Sequence, residues 1–276
     1  MSVGEDEVEI ALDAVQAGVA AGVGRVVAAG SRAGGLVDRT VLVGAIDPCG
    51  ECDVCRRGGA AVCPAARRRD ALGARVVAAS RWLVPLDDGL DLPVPAAAAV
   101  AGDVALAYTL YARTGVAPRD PVVVVGATPI ARFLVEILIG KAITPAAIAE
   151  PGEWADWLAG KGALVARDRA ELTTAFAAQS LGTRPWRVLC ADPAASSAAT
   201  ELANPRATLT LLAAPSAAPL AADVLAREVT IIGVAGAHPD LVVEAAAMCV
   251  KREIDLVGGT TSDPADRLRT HVRAPG

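Results

Sequence analysis

The sequence predicts an α/β protein in which a doubly wound parallel sheet follows a smaller domain of short β-strands. Residues 1–95 contain short β-prone runs separated by Gly and Pro, and one loop in this region holds four closely spaced cysteines. Residues 96–259 alternate continuous apolar runs with helical patterns, which is typical of a parallel sheet covered on both faces. We therefore expect domains at 1–95 and 96–259, followed by a short C-terminal tail at 260–276.

The expected elements of the first region are three short strands. Valine-rich runs bounded by Gly or Pro predict these strands at Gly24–Gly30, Thr40–Gly44 and Arg75–Ala79. A helix is then expected over Ala96–Thr114, after which the residue pattern changes to apolar runs that alternate with helical patterns.

The second region is expected to contain six strands. Apolar runs of four to six residues predict them at Val122–Gly126, Ala146–Glu150, Ala163–Ala166, Arg187–Cys190, Thr208–Leu212 and Val229–Val234. Helical patterns lie between the early strands, one after Gly126 through Ile139 and one at Trp154–Leu158. This order indicates a nucleotide-binding type of domain.

The composition indicates a folded protein without broad electrostatic attraction to nucleic acids or anionic membranes. Apolar residues make up 53% of the chain and the formal net charge is −5, a balance that disfavours phosphate-rich partners. Apolar runs fall short of the roughly 18–20 residues of a membrane helix, and Met1–Glu9 lacks the basic and apolar regions of an export signal. We expect a cytoplasmic protein with no nucleic-acid and no membrane partner.

The loop at 48–64 contains four cysteines with the spacing C-x2-C-x2-C-x7-C. They are Cys49, Cys52, Cys55 and Cys63. In a reducing compartment such crowding favours metal thiolates, and four thiolates suit one closed, structural Zn²⁺. An iron–sulfur cluster fits less well because the last gap is too long, and unligated thiols are the third interpretation. Cys190 and Cys249 lie in apolar segments and are expected in the core.

Five arginines lie close to this loop: Arg56, Arg57, Arg67, Arg68 and Arg69. A zinc ion with four thiolates is a negatively charged centre, so one interpretation is charge compensation within a solvated loop. The other interpretation is a site for an anionic substrate or partner.

The turn after the first strand of the second region departs from the dinucleotide-binding pattern G-x-G-x-x-G. It reads Gly126-Ala-Thr-Pro-Ile-Ala131, so Gly126 suits the tight turn and Ala131 suits helix–strand packing, with Ile130 between them. Thr128 replaces the glycine that lets the backbone approach a pyrophosphate. Glu150 follows the second strand at about the distance expected of a ribose-binding acid and favours NAD over NADP. An ordinary strand-to-helix turn is the alternative interpretation.

Other candidate groups have two interpretations each. His238 is either a coenzyme or substrate contact, or a loop residue before a helix. Asp103 near Tyr108 and Tyr111 suggests acid–base chemistry, although i, i+3 spacing more simply places the two tyrosines on one packing face. His271 is expected to be exposed in the C-terminal tail.

With these motifs the chain resembles the zinc-containing medium-chain alcohol dehydrogenases of the sorbitol and threonine dehydrogenase types. The loop Cys49–Pro64 resembles their structural-zinc lobe, Gly24–Gly30 is similar to the strand and turn before it, and Gly115–Ala131 resembles the entry into their coenzyme domain. The likeness covers about residues 15–262. It implies a GroES-like catalytic domain, here trimmed, a Rossmann coenzyme domain, and hydride transfer between a zinc-bound alcohol and nicotinamide.

The resemblance also implies three ligands for a catalytic zinc, and this chain departs from all three. The family has an early Cys with a Ser or Thr proton shuttle, and we expect the chain to begin too late to contain it. Gly18-Val19-Ala20 stands where the family has Gly-His-Glu, and Asp103 is the carboxylate closest to the third ligand position. A single carboxylate does not suffice for a zinc that needs three protein ligands. The family's returning C-terminal segment is also expected to be shortened, to Thr260–Gly276.

These departures predict a zinc-binding, alcohol dehydrogenase-like protein that has lost the catalytic zinc and acts as a non-catalytic or partner subunit. The alternative is an NAD(P)-dependent oxidoreductase, either a dehydrogenase or an alkene or quinone reductase, that works without a catalytic zinc. A third interpretation is a pure assembly component. The segments Val229–Val234 and Glu253–Val257 are expected to form a homodimer, and a hetero-oligomer with another chain is the other assembly considered.

Overall fold

The computed structural model describes residues 3–86, 90–212, 224 and 226–276. The chain divides into two compact units, Met1–Leu106 with Ala237–Gly276, and Ala107–Gly236. Compactness alone does not define an independently folding domain, so the domain boundaries given above stay predictions. None of the described helices is long and apolar enough to cross a membrane.

The regular elements within the described residues are fifteen strands and seven α-helices. The strands are β1 (Glu7–Gln16), β2 (Gly22–Ala29), β3 (Thr40–Val43), β4 (Ile46–Asp47), β5 (Arg67–Arg68), β6 (Arg75–Ala79), β7 (Val84–Pro85), β8 (Val122–Val125), β9 (Pro145–Ile148), β10 (Leu164–Ala166), β11 (Arg187–Cys190), β12 (Thr208–Leu212), β13 (Thr230–Val234), β14 (Thr260–Thr261) and β15 (Thr270–Arg273). The helices are α1 (Asp53–Arg56), α2 (Ala105–Thr114), α3 (Pro129–Gly140), α4 (Glu153–Gly160), α5 (Arg169–Ala178), α6 (Ser196–Leu202) and α7 (Val242–Val250).

The first unit is built on a seven-stranded sheet whose central strand is β1. This strand pairs with β2 along one edge and with β6 and β15 along the other. Its side chains alternate, and Val8, Ile10 and Leu12 point into the core, as expected for a strand with one covered face. The sequence-based assignment had no strand here.

The C-terminal residues differ from the expected tail because they add strands to this sheet. β15 pairs with β14 and, in antiparallel register, with the end of β1, where Val15 faces Arg273. His271 lies in β15 and is half-buried, so the expectation of an exposed residue is wrong.

The helix expected over Ala96–Thr114 is interrupted. A 3₁₀ turn at Ala96–Ala99 and a π turn at Val100–Val104 precede α2, and Gly102 has non-helical backbone angles. A Cβ atom at Gly102 would lie 2.0 Å from Oε1 of Gln16. The side chain of Gln16 from β1 thus packs against Gly102 at the interruption, and a larger residue at this position would have to displace it.

The second unit is a six-stranded parallel sheet in the order β10-β9-β8-β11-β12-β13. This is the order of the doubly wound dinucleotide-binding folds, with its switch point between β8 and β11. α3 covers the sheet with an apolar stripe in which Phe133, Leu134, Ile137 and Leu138 are fully buried. The α/β fold class predicted from the sequence is confirmed.

Candidate functional sites

The four cysteines of the loop at 48–64 converge. All their Sγ atoms lie within 4.8 Å of one another. The Sγ–Sγ distances are 4.0 Å for Cys49–Cys55, 3.8 Å for Cys52–Cys63 and 3.5 Å for Cys49–Cys63. Four Zn–S bonds of about 2.3 Å at tetrahedral angles separate sulfurs by about 3.8 Å, whereas a disulfide requires about 2.05 Å. The spacing fits one tetrahedral ion held by four thiolates.

The local chain conformation explains this convergence. Gly50 adopts a positive φ of 75°, which turns the backbone so that Cys49 and Cys52 face the same centre. The backbone N–H of Cys49 donates to Sγ of Cys63 over 3.5 Å. Backbone N–H groups of Glu51 and Cys52 lower the pKa of the Cys49 thiol to about 6, so its thiolate is prepared for a cation.

The remaining ligand positions follow from two short helical turns. Cys55 lies in α1 and Cys63 follows the 3₁₀ turn Ala60–Val62. Burial raises the pKa of the Cys55 thiol to about 12. A bound cation would remove that proton, so metal binding at this lobe releases protons and weakens as the pH falls.

Part of the arginine run is bound internally. The buried carboxylate of Asp47 accepts hydrogen bonds from Nη2 of Arg67 at 2.6 Å and from Nη1 of Arg69 at 3.1 Å. The backbone N–H of Ala79 adds a further donor at 3.1 Å, and Arg67 also donates to Glu7 at 2.8 Å. These contacts support a structural role for Arg67 and Arg69. Three other arginines of the run are exposed: Arg56, Arg57 and Arg68.

His238 contacts the cysteine loop. Its Nε2 donates to the carbonyl oxygen of Gly58 over 2.7 Å, and its Nδ1 lies 3.5 Å from Oδ2 of Asp240. The residue precedes the 3₁₀ turn Pro239–Leu241 that leads into α7. This position agrees with the loop interpretation, and the contact to Gly58 was not expected from the sequence.

Asp103 belongs to a buried hydrogen-bonded cluster with Gln16 and Thr270. The backbone N–H of Asp103 donates to Oε1 of Gln16 at 3.1 Å, and Oγ1 of Thr270 donates to Oδ2 of Asp103 at 2.7 Å. Burial raises the pKa of the Asp103 carboxyl, while hydrogen bonds from Thr270 and Gln16 oppose the rise. The cluster therefore joins β1, the π turn and β15 through polar groups that satisfy one another.

Tyr108 and Tyr111 contact each other. Their rings meet edge to face, with centroids 5.7 Å apart and planes at 61°. This geometry supports the packing interpretation of the tyrosine pair.

Among the described residues, one group of three or more His, Cys, Asp or Glu side chains has the geometry to hold a metal ion. It is the cluster of Cys49, Cys52, Cys55 and Cys63. Asp103 is not part of such a group.

A cavity of about 580 Å³ opens within the second unit, at the carboxyl ends of β8 and β9. Parallel α/β sheets bind ligands at this edge. Gly126 and Glu150 line the cavity, as do Trp154, Arg169 and Glu201. The structure thus brings two of the predicted cofactor residues together.

The other predicted cofactor residues, Thr128, Ile130 and Ala131, form the start of α3. Oγ1 of Thr128 accepts the N–H of Ala131 at 3.2 Å and donates to the carbonyl oxygen of Ala191 at 3.1 Å. Thr128 is thus the N-cap of α3. Gly126 has a φ of 117°, and a Cβ there would lie 2.7 Å from Cβ of Asp192, so the tight turn requires glycine.

No protein-family model and no curated protein matches the sequence significantly, but many solved structures resemble it. A short chain alcohol dehydrogenase of Escherichia coli complexed with NADH is 16% identical, with a TM-score of 0.81 over 99% of this chain and 92% of that chain. The chain has the fold of the zinc-containing medium-chain alcohol dehydrogenases. The likeness to this alcohol dehydrogenase fold extends beyond the predicted residues 15–262.

Two further structures support the same conclusion. Galactitol-1-phosphate dehydrogenase of Escherichia coli is 17% identical, with a TM-score of 0.78 over 95% of this chain and 86% of that chain. A protein of Sinorhizobium meliloti bound to NADP, described as a zinc-binding dehydrogenase, is 17% identical, with a TM-score of 0.78 over 100% of this chain and 94% of that chain. At these identities the alcohol dehydrogenase likeness concerns the fold.

Several residues of these sites carried no recognised signal in the sequence. Gln16 and Thr270 are buried polar residues within strands, and Asp47 closes the strand β4. The alternation of β1 places Gln16 in the strand, so a search for period-two patterns in the first sixteen residues would have found it. The partners of Asp47 and Thr270 are far away in the chain, and no local pattern indicates them.

Proposed function

We propose that the chain is a zinc-stabilised protein of the alcohol dehydrogenase fold that has lost the catalytic zinc and acts as a non-catalytic subunit. One observation carries this proposal. Asp103, the carboxylate nearest in the sequence to the third ligand position of the resembled family, accepts a hydrogen bond from Thr270 at Oδ2, and its backbone N–H donates to Oε1 of Gln16. Oδ2 and the backbone N–H of Asp103 thus have partners within the protein.

The donor set of the chain supports the same conclusion. A catalytic zinc in the resembled enzymes needs three protein ligands and an open position, and it polarises the alcohol oxygen. Gly18-Val19-Ala20 offers no side-chain ligand where the family has His and Glu. The four cysteines, by contrast, offer a complete and closed set for a structural Zn²⁺. Such an ion stabilises the lobe and takes no part in chemistry.

Metal analysis and turnover test this proposal together. The purified chain should contain one zinc per chain, and it should not reduce NAD or NADP when a panel of primary, secondary and polyol substrates is supplied. Exchange of Asp103→Asn should leave the zinc content unchanged, because the carboxylate is not a ligand. Two zinc ions per chain, or alcohol-dependent reduction of either coenzyme, would contradict the proposal.

The second candidate function is an NAD(P)-dependent oxidoreductase that works without a catalytic zinc. The cavity at the carboxyl ends of β8 and β9 favours it, because Glu150 lies where a ribose-binding carboxylate is expected. This position favours NAD over NADP, since a carboxylate repels a 2′-phosphate. Steady consumption of NADH in the presence of a quinone or an electron-poor alkene would support this candidate. Failure of both coenzymes to bind in calorimetry would exclude it.

We also propose that the subunit is cytoplasmic and forms a homodimer, or a hetero-oligomer with another chain, through the edge strand β13. This strand is the last in the described order of the parallel sheet, so its outer edge offers backbone groups to a second strand. The residues Glu253–Val257 are a second segment proposed for this contact. Sedimentation should give a dimer, and a monomer at micromolar concentration would contradict the assembly.

A further inference from the structure

We propose that the cavity beside Glu150 binds a nucleoside and excludes its diphosphate-bearing forms, because Thr128 occupies the helix terminus that would bind the diphosphate. The inference deepens the proposed non-catalytic function and rests on it, since hydride transfer requires a complete dinucleotide. The ligand class is a neutral nucleoside with free ribose hydroxyl groups, and adenosine is the probe.

The walls and polar groups of the cavity suit a flat base joined to a hydroxylated sugar. Val125, Ile148 and Trp154 provide apolar surface, and the volume is about 580 Å³. Ligand pockets of this size are mostly apolar and contain a few polar groups that fix the orientation. Glu150 is the acceptor that two ribose hydroxyl groups can share.

The charges around the cavity disfavour a phosphate. Two carboxylates, Glu150 and Glu201, and one guanidinium, Arg169, line it. The local balance is therefore negative, so a phosphate is repelled more than a neutral nucleoside.

The start of α3 offers fewer free N–H donors to a diphosphate because Thr128 caps it. Such an anion uses the free N–H groups of the first helical turn. Pro129 has no N–H group, and the N–H of Ala131 is bound to Oγ1 of Thr128 at 3.2 Å. The N–H groups of Thr128 and Ile130 remain at this helix start.

Thr128 is also fixed in place. Its hydroxyl group donates to the carbonyl oxygen of Ala191 at 3.1 Å while it caps α3. Rotation of the side chain away from an incoming phosphate would break both hydrogen bonds. At the equivalent position of the dinucleotide-binding pattern, a glycine allows close approach of the backbone to the phosphates.

Calorimetry with the zinc-loaded chain tests the inference, using adenosine, AMP, ADP and NADH as ligands. Adenosine should bind, and affinity should fall along the series so that NADH binds at least about tenfold more weakly, as expected when phosphates lose their donors. Adenosine affinity should fall about tenfold in Glu150→Gln because ribose loses a charged acceptor. The exposed Glu244→Gln in the other unit is the matched control and should leave adenosine affinity unchanged.

Two substitutions at Thr128 test whether NADH binds weakly because the Thr128 hydroxyl caps α3 or because the side chain fills space. Thr128→Gly should raise NADH affinity about tenfold and leave adenosine affinity nearly unchanged, because it frees the N–H of Ala131. Thr128→Ser keeps the capping hydroxyl and should bind NADH as weakly as the original chain. A serine variant that gains NADH affinity as the glycine variant does would overturn the capping argument.

The outcomes for the inference and for the proposed function are distinct. Binding of NADH by the original chain as tight as that of adenosine, or absence of adenosine binding, would overturn the inference whatever the zinc content. Alcohol oxidation by Thr128→Gly would contradict the non-catalytic function while it supports the inference. Gain of NADH affinity in that variant without any turnover would support both.

Discussion

The cysteine loop and the Asp103 cluster lie in the same unit, yet they use polar side chains in opposite ways. In the loop, four Sγ atoms converge within 4.8 Å, a spacing that suits one shared cation. In the Asp103 cluster, each polar contact joins one protein group to another, such as the 2.7 Å bond from Thr270. The first arrangement suits a bound cation, which would stabilise the loop, whereas the second is held by hydrogen bonds within the protein.

The start of α3 belongs to the second kind. Thr128 satisfies Ala131 and is itself held by Ala191. In many doubly wound folds the backbone N–H groups at this helix start are free to bind the phosphates of a ligand. A fold can therefore keep its backbone path while polar groups that bind a ligand in other proteins form hydrogen bonds with one another.

The largest expected effect is loss of the metal from the cysteine loop. Cys63→Ser removes one ligand of a site whose zinc is worth on the order of 10 kcal/mol of apparent binding free energy. Zinc content should fall well below one per chain, and the thermal unfolding midpoint should fall with it. Cys190→Ser is the matched control because its side chain donates to the carbonyl oxygen of Asp192, which a hydroxyl can also do. Retention of zinc in Cys63→Ser would contradict the interpretation of the cysteine loop as a metal site.

The next effect concerns the carboxylate of Asp47, which accepts hydrogen bonds from Arg67 and Arg69. Arg69→Met removes one guanidinium from the buried carboxylate, which keeps Arg67 and the N–H of Ala79 as donors, and should cost about 1–3 kcal/mol in the free energy of unfolding. Arg69 has 8% of its side chain exposed and Asp47 has 7%, so water compensates little. Arg68→Met, at an exposed position, is the control and should change stability by less than about 0.5 kcal/mol. Equal losses in the two variants, measured by urea unfolding, would argue against the pairing.

The third effect is a pH dependence of stability that originates in Asp103. Because burial raises the pKa of this carboxyl above 3.8, the folded state holds its proton to higher pH than the unfolded state. Its contribution to stability is therefore present at low pH and is lost as the pH rises through the folded-state pKa. Asp103→Asn should remove this decline when urea unfolding is measured from pH 4 upward.

A matched pair of variants sharpens that result. Asp13→Asn, an exposed position on the same strand β1, should keep the decline. Thr270→Val removes the donor to Oδ2 and should cost about 1–3 kcal/mol. An unchanged pH profile in Asp103→Asn would contradict the assignment of the decline to this group.

The smallest effect is the capping energy of Thr128. Thr128→Ala removes the N-cap of α3 and should cost about 0.5–2 kcal/mol. Thr174→Ala is the control, because its hydroxyl donates to the carbonyl oxygen of Ala170 inside a helix and caps nothing. Equal unfolding midpoints for the two variants would indicate that the hydroxyl of Thr128 contributes no cap.

Local patterns account for the parts of the molecule that the sequence predicted well. The run Val122–Val125 is continuous and apolar because a central parallel strand is buried on both faces. The convergence of Cys49 with Cys63 was predictable because both lie in one loop. The place of Glu150 at the cavity was predictable because it follows the end of a strand, and its role in binding a ribose stays a prediction.

Contacts between distant parts of the chain account for what was missed. The strand β15 has four residues, and its pairing partner β1 lies at the opposite end of the chain. The interruption at Gly102 depends on the side chain of Gln16, which no helical pattern can register. The strand β1 itself alternates Val8, Ile10 and Leu12 with polar residues, so it was within reach of the sequence alone.

The hydrogen bond between His238 and Gly58 connects the cysteine loop to the segment that leads into α7. Gly58 lies between Cys55 and Cys63, and His238 stands at the entrance to α7. Chelation that loosens the loop should therefore speed amide exchange in the first turn of α7. Deuterium uptake by the backbone amides of α7 should therefore report whether the metal is bound, and the cysteines need no label.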